Sequence, residues 1–411
     1  MTEKLEAWYG LPDEVKFCKK CVISNQRPSS SNEYKHNRDS KKETIPFDEE
    51  GVCYACRVNE AKHKTIDWKI REEELLELLA QHRKKDGSYD ILVPGSGGKD
   101  SAFQSHILKY KYKMHPLTIT WSPHLYTDIG WKNFQNWLHV GGFDNFLFTP
   151  NPKIHRLLTK LAFENLLHPF QPFILGQKTF APKIAEKFNI KLIMYGEMPG
   201  EYGANVPITE KKFSNKGTDG HSTNFVEGIK DFSSLYMGGI SAGEIMKHYE
   251  LEKVDLEPYL PMESERIERR GIEFHYLGYY LKWTPQECYY YAVENTGFQS
   301  NPERTDGTYS KYNSLDDRID GFFYYTTWIK FGLGRATYDA AQEIRNHHLT
   351  RQDGVALVRR FDGEFPKKYF REILDYLNLT EERFWEIIDS FRSPHLWKKE
   401  NGEWNLRHVV S

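Results

Sequence analysis

Three things are scarce in this sequence: imbalance of charge, long apolar runs and scattered cysteine. Its 56 Lys+Arg stand against 58 Asp+Glu, a formal net charge of -2. That balance argues against a protein whose main task is gripping nucleic acid through phosphate neutralisation. No run of about 18 apolar residues occurs, so a membrane span is excluded. The N-terminus, Met1-Thr2-Glu3-Lys4-Leu5-Glu6, is charged and lacks the apolar core of a signal peptide. A cytoplasmic location is the expectation. Internal repeats and long low-complexity tracts are also missing.

What is present is length, aromatic residues and a skew. At 411 residues the chain has room for two or three domains on a prior of about 150 residues each. It can bury a sizeable core without disulfides. Four of its five cysteines sit at 18, 21, 53 and 56. The spacing divides the chain into 1–65, a small knuckle unit; 66–250, an α/β unit; and 251–411, a helical, aromatic-rich, substrate-binding region. In the first, the polar stretch Arg27 to Glu43 has no apolar face and cannot bury much alone. A helical pattern over 67–86 ends at Gly87. Short apolar runs at Tyr89–Val93, Pro116–Trp121, Asn145–Thr149 and Lys191–Tyr195 then alternate with helical stretches near Asp100–Tyr112, Trp131–Val140, Lys153–Leu167 and Thr179–Phe188. This rhythm predicts a doubly wound parallel sheet. Further helices are expected at 284–295, 314–331, 335–346, 366–377 and 380–390. The span 205–275 carries no motif.

The strongest chemical signal is Ile91-Leu92-Val93-Pro94-Gly95-Ser96-Gly97-Gly98-Lys99-Asp100-Ser101. It follows a strand and opens a helix, where glycines let backbone N–H groups approach phosphate oxygens and the helix dipole helps. A Walker A loop would need glycine where Val93 stands and serine or threonine where Asp100 stands. A dinucleotide fingerprint would need a small residue at Asp100. Neither fits. Ser96, Gly97, Gly98, Lys99, Asp100 and Ser101 are therefore candidate nucleotide-binding residues of another kind, with Lys99 and Asp100 the candidate catalytic pair. Ligands in such sheets bind outside the carboxyl ends of the strands. Trp121 after the second strand is the candidate adenine seat. Gly196-Glu197-Met198-Pro199-Gly200-Glu201-Tyr202-Gly203 after the fourth offers Gly196 to the nucleotide. Glu197 and Glu201 are candidates for Mg²⁺ or substrate, with Tyr202 beside them; a solvated turn is the plain alternative.

Cys18-x2-Cys21 and Cys53-x2-Cys56 are two knuckles offering four sulfurs to one tetrahedral ion, and structural Zn²⁺ is expected. A redox pair is the competing reading. Cys288, on an aromatic helix, is expected to be core. Farther on, the block from Arg304 contributes Arg304, Tyr309, Lys311, Tyr312, Asp316 and Asp317 as candidate substrate contacts. A bend at Gly332-Leu333-Gly334 is expected to aim Lys330 and Arg335 at an anion, and both count as candidate catalytic residues.

The Ser-Gly-Gly-x-Asp-Ser run resembles the loop of the PP-loop ATP pyrophosphatases, which cleave ATP between its α- and β-phosphates. With the paired knuckles, Phe47-Asp48-Glu49-Glu50-Gly51-Val52-Cys53, the Gly196–Gly203 segment and the Arg304–Arg345 block, the chain resembles the N-acetyl sugar amidotransferases of bacterial surface-polysaccharide and flagellin-glycan pathways. That resemblance implies an α/β fold of the PP-loop type. It also implies ATP, Mg²⁺ and Zn²⁺ as cofactors, and adenylation of an acetamido oxygen followed by attack of ammonia. The sugar would be a nucleotide-linked diacetamido uronic acid or a nonulosonic acid such as pseudaminic or legionaminic acid. Ammonia usually comes from glutamine. Residue 2 is Thr rather than cysteine, and Cys288 lacks a nucleophile-elbow context. A separate glutaminase subunit is therefore expected, with a channel subunit as in histidine biosynthesis. The rivals are a PP-loop tRNA-modifying enzyme, and an inactive zinc-dependent scaffold.

Overall fold

A computed structural model describes residues 5–30, 33–35, 38–203, 233 and 235–411. Thr2, and 205–232 within the span that carries no motif, lie outside the described residues.

The centre is a five-stranded sheet in which every neighbouring pair is parallel. Strands β1 (Ile91–Pro94), β2 (Pro116–Trp121), β3 (Asp144–Phe148) and β4 (Leu192–Tyr195) fall where the apolar runs predict them. The order is β3-β2-β1-β4, with Glu273–Tyr276 as a fifth strand beside β4. This last strand was not expected, and it carries the sheet past the boundary placed at 250. Its four residues, Glu-Phe-His-Tyr, are too few and too polar to stand out as a buried run. Ile91, Leu92 and Val93 are fully buried, as central parallel strands covered on both faces must be.

Helices α1 (Tyr54–Lys64), α2 (Trp68–His82), α3 (Lys99–His106), α4 (Asp128–His139), α5 (Pro152–Leu166) and α6 (Gln171–Lys187) precede the fifth strand. The single helix expected at Asp100–Tyr112 is α3 followed by a π turn at Ile107–Lys111. Helix α6 begins well before the expected Thr179: Pro172 is tolerated in its first turn and Pro182 lies inside it. Gly176 on α6 lets the Trp121 ring approach, since a Cβ there would meet the indole at 2.1 Å.

Beyond the sheet the chain is mainly helical, with helices at Pro285–Thr296, Asp320–Phe331, Arg335–Arg345, Arg351–Phe361, Phe370–Leu377 and Glu381–Ser390. Arg351–Phe361 and the β-hairpin Trp397–Glu400/Glu403–Leu406 were not anticipated. The cysteine knuckles do not stand apart. Their apolar cluster is completed by Ala340, Ala341, Val358 and Val410 from the C-terminal region.

Candidate active site and metal centre

The chain adds β2 and β3 on one side of β1 and then crosses to place β4 on the other. The carboxyl end of β1 is therefore the point where strand order reverses, and such a point opens a crevice for ligands. The glycine-rich loop occupies it. Gly97 has φ +85°, and a Cβ there would lie 2.7 Å from the Phe134 Cα, so only glycine fits on both counts. Ser101 Oγ accepts from Gly97 N–H (3.2 Å) and donates to Gly98 C=O (3.0 Å), pinning the loop to the first turn of α3.

Ser96 through Asp100 form one wall of an open pocket that also takes in Gly130 and Asn133 of α4. The opposite wall comes from far along the chain: Phe298, Tyr312 through Asp316, and Arg335. Lys99 is buried, with Nζ 2.5 Å from Asp100 Oδ2 and 6.0 Å from the Tyr312 ring centre. Burial disfavours its charge, but Asp100 and then Glu197 outweigh burial, and its pKa lies above the ordinary lysine value. The other oxygen of Asp100, Oδ1, is buried without a hydrogen-bond partner. Glu197 is pushed up to about 7, first by burial and then by the Asp100 charge, with Lys99 opposing. Burial, then Glu197 and Asp100, raises the Tyr202 hydroxyl well above its usual value, so it stays a neutral donor. Arg335 is ion-paired to Asp339 at 3.1 Å and its guanidinium lies 4.4 Å from the Tyr324 ring centre. Asp316 is raised by burial, with a bond from Ser96 working the other way. Asp320 is raised to about 7 by burial, against the pull of Arg335 and Ser314.

The structure thus brings Ser96, Gly97, Gly98, Lys99, Asp100, Tyr312, Asp316 and Arg335 to one pocket, with Ser101 bracing the loop. Glu197 and Tyr202 lie near enough to feel the charge of Asp100. Other candidates are elsewhere. Trp121 is no adenine platform: its ring is in the main core, 5.1 Å from Phe148 and 5.4 Å from Tyr259. Gly196 is a close-packing position, where a Cβ would meet the Trp283 ring at 2.9 Å. Lys330 does not face an anion pocket; its ammonium is spent on both oxygens of Glu33 (2.8 and 2.9 Å) and on Leu166 C=O. Burial, opposed by Glu33, brings it down to about 8.

Arg304 makes a two-pronged pair with Glu364 (2.6 and 2.7 Å) that staples its own loop. Lys311 is exposed and caps Pro302 C=O. Tyr309 packs at the edge of the knuckle cluster. Glu201 is buried with Oε2 2.6 Å from Lys62 Nζ, and it does not line the pocket. Asp317 takes the backbone N–H and ring Nδ1–H of His124, both at 2.7 Å. These misplacements share one cause: a charged residue in a functional-looking block reads the same whether it meets a ligand or another buried charge. The opposite error is Asn133 and Phe298, which line the pocket and were passed over in the sequence; no local motif marks them.

Cys18, Cys21, Cys53 and Cys56 are all buried, and their sulfurs lie within 4.8 Å of one another. The closest pairs, Cys18–Cys56 and Cys21–Cys53, are at 3.8 and 3.7 Å. A disulfide would need about 2.05 Å. The sulfur–sulfur edge of a tetrahedron with metal–sulfur bonds of about 2.3 Å is about 3.8 Å. The four donors therefore fit one tetrahedral ion with no open position. N–H groups of Lys20, Cys21 and Cys53 point at Cys18 Sγ (3.3–3.4 Å), as befits a sulfur carrying negative charge. Among the described residues no other such cluster occurs, and no helix is long and apolar enough to cross a membrane.

Residues 306–410 match the family described as LPS biosynthesis protein WbpG-like, C-terminal domain. Comparison with curated proteins gives no match. Among solved structures, the chain is similar to an NH3-dependent NAD synthetase from Campylobacter jejuni at 13% identity, covering 31% of this chain and 56% of that one, with a TM-score of 0.25. An NMN synthetase from Francisella tularensis is 12% identical over 58% and 89%, TM-score 0.25. A U34-tRNA thiolase, NcsA, from Methanococcus maripaludis with a [4Fe-4S] cluster is 10% identical over 80% and 90%, TM-score 0.29. The chain spans little more than half the length of the first of these, 56%. At such scores the strand order of this chain, and not these likenesses, carries the fold. The wall that faces the glycine loop is a different matter: Tyr312 through Asp316 and Arg335 lie inside the span 306–410 that matches the WbpG-like C-terminal domain model.

Proposed function

We propose that this chain is an ATP-dependent amidotransferase that converts the acetamido group of a bacterial surface-glycan sugar into an acetamidino group. The observation that carries the reading is the pocket itself. One wall is a Ser-Gly-Gly-Lys-Asp-Ser loop at the switch point of a parallel sheet, and the other is a domain of lipopolysaccharide-biosynthesis type. Nucleotide phosphates belong on the first wall, against the N–H groups of 96–99 and the start of α3. The sugar belongs on the second.

An amide carbonyl is a weak electrophile and its oxygen a poor leaving group. Transfer of AMP from ATP to that oxygen releases pyrophosphate. Ammonia then adds to the imidate-like carbon, and AMP departs with the former amide oxygen. Lys99 and Arg335 supply positive charge from opposite walls where the phosphates gain charge. Asp100 Oδ1 and Glu197 are the hard oxygen donors suited to Mg²⁺, which when bound would neutralise phosphate charge. Tyr202, held neutral, orients a polar atom of the substrate. The four-cysteine centre suits structural Zn²⁺ and takes no part in bond making. Ammonia is supplied by a separate glutaminase, with the reaction placed in the cytoplasm.

Release of AMP and pyrophosphate from ATP plus ammonium is the test, with acetamido sugars in one arm and bulk tRNA in another. Sugar-dependent release is expected, and oxygen-18 placed in the acetamido carbonyl should appear in AMP. Release that needs RNA, or none with any sugar, overturns the reading. Glutamine hydrolysis by the purified chain alone would remove the separate glutaminase.

A further inference from the structure

Glu201 links the four-cysteine centre to the segment that follows β4, next to the strand that carries the phosphate loop. Its backbone carbonyl accepts from Arg345 at 3.2 Å and from Gln342 at 3.4 Å. Its carboxylate lies 2.6 Å from Lys62 Nζ, whose remaining bonds go to Trp283 C=O and Asn346. Both clamps start at the cysteines. Lys62 rides on α1, which begins directly after Cys53 and contains Cys56. Arg345, buried, points its other nitrogen at Cys21 Sγ (3.6 Å) and Cys53 Sγ (3.9 Å).

Glu201 in turn closes a short 3₁₀ turn, Pro199–Tyr202, that follows Glu197 and ends in Tyr202. Those two residues follow β4, which pairs in parallel with β1, so they lie at the strand ends next to the glycine loop. A divalent ion with four thiolates carries a formal charge of about −2, which a buried guanidinium offsets. A guanidinium has the planar fork to reach two sulfurs and a carbonyl at once; a lysine ammonium has not. Removing the ion leaves four sulfurs with nothing to draw them into one tetrahedron, and the fork loses two of its three anchors.

We propose that Arg345 is a positioning residue: it ties the metal-bound Cys21 and Cys53 to the Glu201 carbonyl, so that metal occupancy sets the place of Glu197 and Tyr202 beside the phosphate loop. The metal centre is then a support of the pocket and not only of the N-terminal arm. This rests on the centre holding a metal but not on the sugar chemistry. Its readout is accordingly the loop itself.

Hydrogen exchange on the full, metal-loaded chain tests it, following the bonded amides of Glu201 and Gly203 with those of Ile91–Val93 in β1 as reference. Stripping the metal with a chelator is expected to speed exchange of the two loop amides at least about tenfold while the reference stays protected. Arg345→Lys should do the same with the metal still bound. Arg351→Lys is the control, because Arg351 holds Cys18 C=O (3.3 Å) and Cys21 C=O (3.2 Å) but has no bond to the loop. It should leave loop exchange unchanged. Loop exchange that ignores metal removal, or rises equally in Arg351→Lys and Arg345→Lys, overturns the proposal. Should Arg345→Lys fail to hold metal, the chelated wild-type chain decides alone, and an unmoved loop there is equally fatal.

Discussion

Asp317 and His124 form a joint between the C-terminal region and the sheet: one carboxylate oxygen takes both the His124 N–H and its ring Nδ1–H at 2.7 Å. Around it the segment 315–318 is laced to 124–127. Thr127 N–H reaches Asp316 C=O, Arg318 N–H reaches Leu125 C=O, and Gly130 is bare because a Cβ would meet Asp316 Cα at 2.4 Å. The two walls of the pocket are thereby held in register.

Asp317→Ala should unfold the chain more easily by about 3 kcal/mol, since it strands a buried amide and a buried ring N–H. Asp317→Asn keeps one acceptor and should cost about 1–2 kcal/mol. Urea unfolding of both variants checks the order.

Lys330→Met and Arg335→Lys should separate structure from function. The first breaks a buried pair, leaving Glu33 with Lys42 at 3.2 Å, and should cost about 2 kcal/mol of stability with KM for ATP unchanged. The second should raise KM or lower kcat at near wild-type stability, because the planar fork beside Tyr324 and Asp339 is lost. Steady-state kinetics beside thermal melts distinguish them.

Gly97→Ala is expected to damage the phosphate loop, whereas Gly98→Ala folds normally. A side chain at 97 pays about 1–3 kcal/mol for its positive φ and also collides with Phe134. At 98 the nearest atom is Ser96 Oγ at 3.7 Å, an ordinary contact. Melting temperatures of the two variants, compared with pyrophosphate binding, provide the check. Lys99→Ala and Asp100→Ala should instead keep the fold and lower turnover by at least about a hundredfold.

Asp320 makes stability depend on pH. Its folded pKa is raised to about 7, mainly by burial, above its ordinary value of 3.8. The unfolded chain therefore releases this proton first. The stability linked to the neutral form is fully present below 3.8 and is lost as pH rises through about 7. Asp320→Asn should remove that part of the slope and be the more stable chain at pH 8. Denaturant titrations at pH 5 and pH 8 test the sign.

The four-cysteine centre should yield about one zinc ion per chain on metal analysis, with thiols that titrate only after chelation. A lower melting temperature in chelator is expected. Free thiols in the folded, unchelated chain would contradict the four-cysteine assignment.

Local patterns were enough for much of the fold. Strands β1, β2 and β4 appear as apolar runs because parallel strands inside a sheet are buried on both faces, and helix α5 falls on the helical stretch read at Lys153–Leu167. The strand Glu273–Tyr276 forms no such run, since a short strand beside β4 borrows its burial from neighbours far away in sequence. Trp121 and Lys330 show the same limit in side chains. Whether an indole stacks on a nucleotide or on Gly176, and whether an ammonium meets phosphate or Glu33, depends on partners between 55 and roughly 300 positions distant.

The sequence by itself located the glycine loop after β1 and the four cysteines that cluster in the fold. Both are short-range devices: the loop's chemistry lies in consecutive backbone N–H groups, and a Cys-x2-Cys turn presents two sulfurs together whatever surrounds it. Tertiary structure alone decided which charges face the pocket and which are consumed in holding it. Glu201, Asp317, Arg304 and Lys330 are all drawn into pairs, because a charge taken out of water must find an opposite partner, and the chain's folding chooses which one.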